Sequence, residues 1–220
     1  MVKSPLRRAV LLALALLGLT ASAAPDHWKP DIDQLTAGDA MHPPAAGGIV
    51  FVGSSSIRLW TTLAADFPDL PVINRGFGGS ELADSVFYED RLVLAYHPRT
   101  VVLFAGTNDL WAGKTPEAVY ADFQSFHAKL RAALPETRLI YLSITLSPSR
   151  TRIHDAMRTA NRLIATECAK DPRCSFVDIN PPMAGPNGLP RPELFRDDQL
   201  HLKPAGYAIW TKVLAPYLQP

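Results

Sequence analysis

A short apolar run that ends in glycine and three serines is the feature that most constrains this chain. Residues Ile49–Val52 are all apolar and lead directly into Gly53, Ser54, Ser55 and Ser56. A continuous apolar stretch of this length, bounded by glycine, is typical of a strand buried on both faces, as in a parallel sheet. Open α/β sheets bind their ligands at the carboxyl ends of such strands. The three serines therefore mark a candidate site.

The same pattern recurs along the chain, where apolar runs alternate with segments of helical periodicity. Strands are predicted at residues 48–53, 72–74, 100–105, 138–144 and 175–179. Helices are predicted at residues 56–65 and 80–94, between Thr115 and Pro135, at residues 149–169, and from Pro204 onwards. Strands that alternate with helices, without hairpin signals, predict a five-stranded parallel sheet with helices on both faces.

Length and charge narrow the class of protein. A chain of 220 residues suits one domain with a sizeable core. The sequence holds 22 basic and 21 acidic residues, a net charge of +1, so nothing indicates a nucleic-acid partner.

The amino terminus has the composition of an export signal. Three basic residues within the first eight positions precede an apolar run at residues 10–19, and Ala21-Ser22-Ala23 then fits a small-x-small cleavage site. The run is shorter than the roughly 20 residues of a spanning helix, so an uncleaved anchor is the less favoured alternative. The sequence predicts a signal peptide at 1–23 and one mature domain at 24–220. That domain is expected to be exported to the periplasm or secreted, without stable membrane insertion.

The sequence contains two cysteines, Cys168 and Cys174, separated by a short segment that includes Asp171-Pro172, a turn signal. In an exported protein this pair is expected to form a disulfide, and two unpaired buried thiols are the alternative. A metal site is not expected, because no histidine lies at ligand spacing to the pair.

Three strand ends and one later loop carry side chains suited to acyl transfer. The segments 53–56, 76–79 and 106–109 each follow a predicted strand, and parallel strands open on one edge of the sheet. A serine hydroxyl needs a neighbouring base to attack an ester carbonyl. His201 suits that role, and Asp198, three residues earlier, could orient it.

The oxyanion of such a reaction needs donors that are fixed in advance. The candidates are the N–H of the nucleophilic serine, the N–H of Gly79 and the side-chain amide of Asn108. Each segment taken alone would be read as an ordinary turn or a capped loop. Trp111, just after Asn108, either lines an acyl or sugar pocket or packs in the interior.

These segments resemble the SGNH hydrolases, also called GDSL-like lipases and esterases. The blocks FVGSSSIRLW, INRGFGGSEL, FAGTNDLW and DDQLHLKPAGY follow the order and spacing of that family between Phe51 and Tyr207. The resemblance implies a three-layer α/β/α sandwich with a flavodoxin-like strand order. It also implies that the protein needs no metal or organic cofactor.

The resemblance assigns roles to five residues. It implies that Ser55 is the nucleophile, that Gly79 and Asn108 complete the oxyanion hole with the Ser55 N–H, and that Asp198 and His201 complete the triad.

Two positions depart from the family pattern. Ser54 stands where an aspartate is usual, and Gln199 stands where glycine is common. Among the three serines, Ser55 is favoured because it brings Gly53 and Trp60 into register with the family block. The serines also lack the Gly-x-Ser-x-Gly pattern of the α/β-hydrolase elbow and the Gly-Lys-Ser/Thr of a phosphate loop.

The expected function is therefore that of an exported serine esterase that cleaves carboxylic esters through an acyl-enzyme. Short acyl esters, including acetyl groups on carbohydrate, are favoured because the sequence has no long apolar lid segment. The alternatives are a lipase, thioesterase or lysophospholipase that acts on longer chains, and an inactive binding protein with the same fold. The oligomeric state is left open.

Overall fold

A computed structural model describes residues 26–219, so the predicted signal peptide at residues 1–23 lies outside the described residues. Within this range one parallel sheet is formed by β1 (Ile49–Gly53), β2 (Val72–Gly76), β3 (Thr100–Phe104), β4 (Arg138–Leu142) and β5 (Cys174–Val177). The strand order across the sheet is β2-β1-β3-β4-β5, which is the flavodoxin-like order. The predicted fold class is confirmed.

Helices cover both faces of this sheet. The α-helices are α1 (Lys29–Thr36), α2 (Ser55–Arg58), α3 (Leu63–Asp66), α4 (Leu82–Phe87), α5 (Glu89–Leu92), α6 (Thr107–Trp111), α7 (Pro116–Ala133), α8 (His154–Cys168) and α9 (Pro204–Leu218). Short 3-10 helices lie at Asp26–Trp28, Leu94–Tyr96, Pro148–Ile153, Pro181–Met183 and Pro192–Leu194.

The central strand β1 separates two apolar cores. Its alternate residues face opposite ways: Val50 and Val52 belong to one core, and Ile49 and Phe51 to the other. The first core is closed by α1, α4, α5, α7 and α8, and the second by α2, α3 and α9. All five residues of β1 are buried, as the continuous apolar run predicted.

Helix α7 forms where its sequence signals predicted it. The hydroxyl oxygen of Thr115 accepts a hydrogen bond from the N–H of Ala118 at 3.2 Å, which caps the first turn, and Pro116 occupies the first helical position. The helix ends at Ala133, shortly before Pro135.

The single helix predicted at residues 56–65 is wrong, because the chain forms α2 and α3 with a turn between them. The indole N–H of Trp60 and the hydroxyl of Thr62 both donate to Asp66, at 2.5 and 2.7 Å. This turn buries Trp60 and Leu63 in the same core, although they are not on one continuous helix.

Two further helices begin later than predicted. Ser80 does not start the second helix, since its hydroxyl donates to the carbonyl of Phe77; Glu81 caps α4 instead, in a capping box with Asp84. The helix predicted from Ser149 opens as a 3-10 segment in which Arg150 departs from helical φ and ψ, and the Ser149 N–H donates to the carbonyl of Gln199 at 3.1 Å. Regular α-helix begins only with α8.

Cys168, at the end of α8, and Cys174, at the start of β5, are joined by the expected disulfide. It lies at the edge of the sheet furthest from β2. Between residues 26 and 219, no helix combines the length and apolar character needed to cross a membrane.

Candidate active site

The carboxyl ends of β1, β2 and β3 meet at one edge of the sheet. In the parallel register Gly53, the last residue of β1, lies opposite Gly76 on one side and Phe104 on the other. The three segments that leave these strands therefore start at the same level. They carry Ser55, Gly79 and Asn108.

Glycine at position 53 is required for the chain to turn from β1 into α2. Its φ is +133°, and a Cβ atom added there would lie 1.9 Å from the carbonyl oxygen of Phe104. The next residue, Ser54, donates its N–H to that same carbonyl at 3.0 Å. Ser55 then begins α2, so a short, tightly packed turn fixes its position.

Ser55, His201 and Asp198 form a continuous hydrogen-bonded chain. The Oγ of Ser55 lies 2.9 Å from Nε2 of His201, and Nδ1 of His201 lies 2.6 Å from Oδ2 of Asp198. An ionised carboxylate only accepts, so Nδ1 carries the proton and Nε2 is left as the acceptor for the serine hydroxyl. This arrangement matches the geometry of a nucleophile, a base and an orienting acid.

Asp198 is held in its ionised form. Burial acts to raise its pKa, but hydrogen bonds from the His201 ring and from the N–H groups of His201 and Leu200 lower the pKa to about 2. Both N–H groups reach Oδ1 at 2.9 Å, which leaves Oδ2 for the imidazole. The carboxylate is thus oriented by the backbone of its own loop.

Two backbone N–H groups at the site are available to a substrate. Within residues 26–219, neither Ser55 N–H nor Gly79 N–H has a hydrogen-bond acceptor. Gly79 has a φ of +85°, and an added Cβ would lie 3.3 Å from the ring of Trp28. A side chain at this position would therefore strain the backbone and crowd Trp28.

The amide of Asn108 borders the same space. Its Nδ2 donates to the carbonyl of Ser80 at 2.9 Å, which fixes the side chain beside the residue that follows Gly79. An amide nitrogen carries two hydrogens, so the second remains for an oxyanion.

Asp109 supports this arrangement, a role that the sequence did not reveal. Its buried carboxylate accepts from the Leu82 N–H and from Nζ of Lys114, each at 3.1 Å. These bonds tie the start of α4 to α6 and thereby hold the Gly79 and Asn108 segments together. Burial raises the pKa of Asp109, although Lys114 acts to lower it.

Gln199 adopts a backbone conformation that favours glycine. Gln199 has a φ of +54°, the left-handed region that favours glycine. Its side-chain Nε2 donates to the carbonyl of Arg196 at 3.0 Å, and its own carbonyl accepts from the Ser149 N–H. Gln199 therefore folds back on its own loop and links that loop to residues 148–153.

A cavity of about 20 Å³ lies beside the candidate nucleophile. Its lining includes the hydroxyl residues Ser54, Ser56, Thr107, Thr145 and Ser147, together with Phe104 and Leu200. This volume holds about one water molecule. The hydroxyl oxygens of Thr145 and Ser147 are buried and have no hydrogen-bond partner among the described residues.

A larger cleft of about 420 Å³ lies between α8 and the segment 181–190. It contains none of the residues of the Ser55–His201–Asp198 chain. We therefore locate the candidate chemistry at the small cavity, where a nucleophile and a base are in contact.

Trp111 does not line the cavity beside Ser55. Its ring is instead covered by two guanidinium groups, with Cζ of Arg150 and of Arg152 at 3.7 and 3.8 Å from the ring centre. This contact could not be predicted from the sequence, because it joins two segments that are distant along the chain.

Across residues 26–219, no group of three or more histidine, cysteine, aspartate or glutamate side chains is arranged to hold a metal ion. The polar groups at the candidate site are hydroxyl, imidazole, carboxylate and amide groups at hydrogen-bonding distances.

Several solved structures are similar to this fold. A Streptococcus pneumonia protein provisionally described as a platelet activating factor aligns with a TM-score of 0.78 at 17% identity, over 87% of this chain and 92% of its own. A GDSL-like lipase from Bacteroides thetaiotaomicron gives a TM-score of 0.71 at 21% identity, over 86% and 97%. An acetylxylan esterase from Geobacillus stearothermophilus gives 0.64 at 16% identity, over 80% and 96%.

At these identities the structural matches establish the fold alone, and no curated protein sequence matches the chain significantly. The sequence model of the GDSL-like lipase/acylhydrolase family, however, matches residues 48–209, which is well over half of the chain and includes all four blocks. The chain therefore belongs to the GDSL-like lipase/acylhydrolase family.

Proposed function

We propose that this protein is an exported serine esterase in which Ser55 is the nucleophile, His201 the general base and Asp198 the residue that orients it. The observation that carries the proposal is the hydrogen-bonded chain from Ser55 Oγ through both nitrogens of His201 to the Asp198 carboxylate. A hydroxyl in contact with an imidazole whose tautomer is fixed is the arrangement that activates serine.

The proposed reaction has two halves. Ser55 Oγ attacks the ester carbonyl while its proton passes to Nε2 of His201, and the imidazolium then protonates the departing alcohol. Water, activated by the same nitrogen, attacks the acyl-enzyme and releases the acid. The N–H groups of Ser55 and Gly79 and the amide of Asn108 stabilise the oxyanion in both halves.

Short acyl groups are the proposed substrates. The cavity beside Ser55 has the volume of about one water molecule, so it accommodates an acetyl methyl group more readily than an alkyl chain. A carbohydrate acetyl ester fits this limit, and the similarity to an acetylxylan esterase supports the same class. Faster hydrolysis of long-chain esters than of acetyl esters would instead favour a lipase or thioesterase.

The proposal that the protein is exported is based on the sequence of the first 23 residues. The disulfide supports it, because such bonds persist in oxidising compartments. Expression of the full chain in a bacterial host tests this. Recovery of a protein that begins at Ala24 outside the cytoplasm is expected, and retention of the intact precursor inside the cell would contradict it.

Hydrolysis of p-nitrophenyl acetate tests the nucleophile. We expect Ser55→Ala to lower kcat by about a thousandfold or more, as seen when a triad member is removed. Ser56→Ala, which changes the neighbouring hydroxyl, is the matched control and should lose far less. Activity of Ser55→Ala equal to that of the parent would show that another group attacks the ester, and no activity in the parent would favour a binding protein.

A further inference from the structure

Trp111 is held between two arginines. Both guanidinium carbons lie within 3.8 Å of the ring centre. A carbon in van der Waals contact with the ring already lies about 3.5 Å above the ring plane. Each group must therefore lie almost directly over the ring, so the two cannot share a face. Arg150 and Arg152 occupy opposite faces of the indole, and we call these three residues the arginine platform.

The platform carries two positive charges without acidic partners. Within residues 26–219, neither arginine forms an ion pair or a side-chain hydrogen bond, and Nε of Arg150 is buried without an acceptor. Burial and the charge of Arg152 lower the pKa of Arg150, whereas Asp198 acts to raise it. A buried donor without an acceptor and two like charges in proximity are both unfavourable unless an anion binds.

The platform adjoins the part of the site from which an alcohol would leave. The N–H of Ser149 donates to the carbonyl of Gln199, which connects the arginine segment directly to the loop that carries Asp198 and His201. His201 would protonate the departing alcohol in the proposed reaction. A substituent on that alcohol would therefore lie on the side of the site that the arginine segment adjoins.

We infer that the arginine platform selects esters whose alcohol part carries a carboxylate, such as an acylated uronic acid. This inference rests on the proposed function and extends it to the substrate class. A guanidinium group can bind a carboxylate through two parallel hydrogen bonds, and stacking on Trp111 orients both groups at little further entropic cost.

A matched pair of esters isolates this contact. 4-Acetoxybenzoate and its methyl ester have the same acyl group, and their alcohol parts differ in a carboxylate. We expect Arg150→Gln and Arg152→Gln each to lower the ratio of kcat/KM for the acid to kcat/KM for the methyl ester by about tenfold, as expected for one lost charge-assisted hydrogen bond. Arg152→Glu should lower the ratio further, because it places a like charge beside the carboxylate.

Arg162→Gln is the control, because Arg162 is an exposed arginine on α8 whose guanidinium bonds to Thr159 at 2.9 Å, outside the platform. It should leave the ratio unchanged. Arg152 is also exposed, so its variants keep the test valid if Arg150→Gln fails to fold. In the parent, added salt should lower the ratio, since it screens the charges.

The outcomes separate the two proposals. If the parent cleaves both esters and the platform variants leave the ratio unchanged, the platform inference is wrong and the esterase proposal stands. If Ser55→Ala cleaves both esters as fast as the parent, the proposed function itself is wrong. A ratio that falls in the platform variants but not in Arg162→Gln supports the inference.

Discussion

At the scale of single residues, the proposed oxyanion donor at Gly79 depends on a backbone conformation that glycine adopts most easily. We expect Gly79→Ala to lower kcat by about a hundredfold or more, because the strained backbone moves the Gly79 N–H away from the oxyanion. Gly113→Ala is a matched control: Gly113 has a φ of +99°, but an added Cβ meets nothing within 4 Å. Both variants should lose about 1 kcal/mol of stability from strain, and only Gly79→Ala should lose kcat. An equal loss of kcat in both would contradict a role for the Gly79 N–H.

Asn108 offers a separate test of the oxyanion hole. Removal of one such donor costs about 2.7 to 4 kcal/mol in the transition state, so Asn108→Ala should lower kcat by about 100- to 1,000-fold. KM should change little, because the interaction forms mainly in the transition state. Steady-state kinetics on p-nitrophenyl acetate measures both constants. A large rise in KM at unchanged kcat would instead assign Asn108 to substrate binding.

Substitutions at Gln199 test how the loop that carries Asp198 and His201 tolerates a residue other than glycine at this position. We expect Gln199→Gly to change the free energy of unfolding by less than about 1 kcal/mol, because relief of the strained φ offsets the greater freedom of the unfolded chain. Gln199→Val should destabilise by about 1 to 2 kcal/mol, since a β-branched side chain fits the left-handed region poorly. Urea unfolding measures both. Equal stability of the two variants would show that φ at this position does not matter.

The residues of the candidate site could be identified from the sequence because the four sequence blocks contain them. Ser55, Gly79, Asn108, Asp198 and His201 were named from their spacing and family order, and their side chains or backbone converge in the structure. The contacts of Asp109, Arg150 and Arg152 could not be read in this way. Each depends on a partner far along the chain, and the positions of such partners follow only from the assembled sheet.

At the scale of elements, the strands were easier to predict than the helices. A strand buried on both faces leaves a continuous apolar run, and β1 and β3 lie where such runs occur. The pattern Ile57, Trp60, Leu63 fits one helix, but it fits two short helices joined by a turn equally well. The hydrogen bonds from Trp60 and Thr62 to Asp66 favour the turn, and the spacing of the apolar residues alone does not reveal them.

Helix α5 carries a buried acid that makes stability depend on pH. Burial raises the pKa of Glu89 from 4.5 to about 8, and its carboxylate oxygens have no hydrogen-bond partner among the described residues. The folded state thus keeps a proton that the unfolded state releases near pH 4.5. Stability should therefore fall as pH rises from about 4.5 to 8, by on the order of 5 kcal/mol.

Glu89→Gln should remove this pH dependence, because glutamine cannot ionise. Urea unfolding at pH 5 and pH 8 measures the effect, and Glu117→Gln, at an exposed position of α7, is the control. A parent protein that is more stable at pH 8 than Glu89→Gln would contradict a protonated Glu89.

At the scale of the whole molecule, the disulfide and the candidate site are expected to be independent. The disulfide closes a short loop at β5, whereas Ser55 follows the central strand β1. Replacement of both cysteines by alanine should cost about 2 kcal/mol and lower Tm by roughly 5 °C, with kcat unchanged. Thermal unfolding and ester hydrolysis on the same preparation test this, and a loss of kcat at temperatures where the variant is folded would contradict it.

The fold brings together residues from opposite ends of the domain, since Ser55 and His201 are separated by 146 positions in the chain. The parallel edge predicted that the Ser55, Gly79 and Asn108 segments lie together, whereas the role of His201, in the loop before α9, was implied by the family resemblance. Tyr207 strengthens it in a way that the sequence did not reveal: its hydroxyl donates to the carbonyl of Ser56 at 2.8 Å. Helix α9 and the segment that carries Ser55 are thus held together.

The most direct test of an activated Ser55 is covalent labelling with a fluorophosphonate, followed by mass spectrometry of the peptide that contains residues 54–56. We expect a single label on Ser55 in the parent, none in Ser55→Ala, and strongly slowed labelling in His201→Ala. A label on Ser54 or Ser56, or equal labelling of the parent and His201→Ala, would contradict the central claim that His201 activates Ser55.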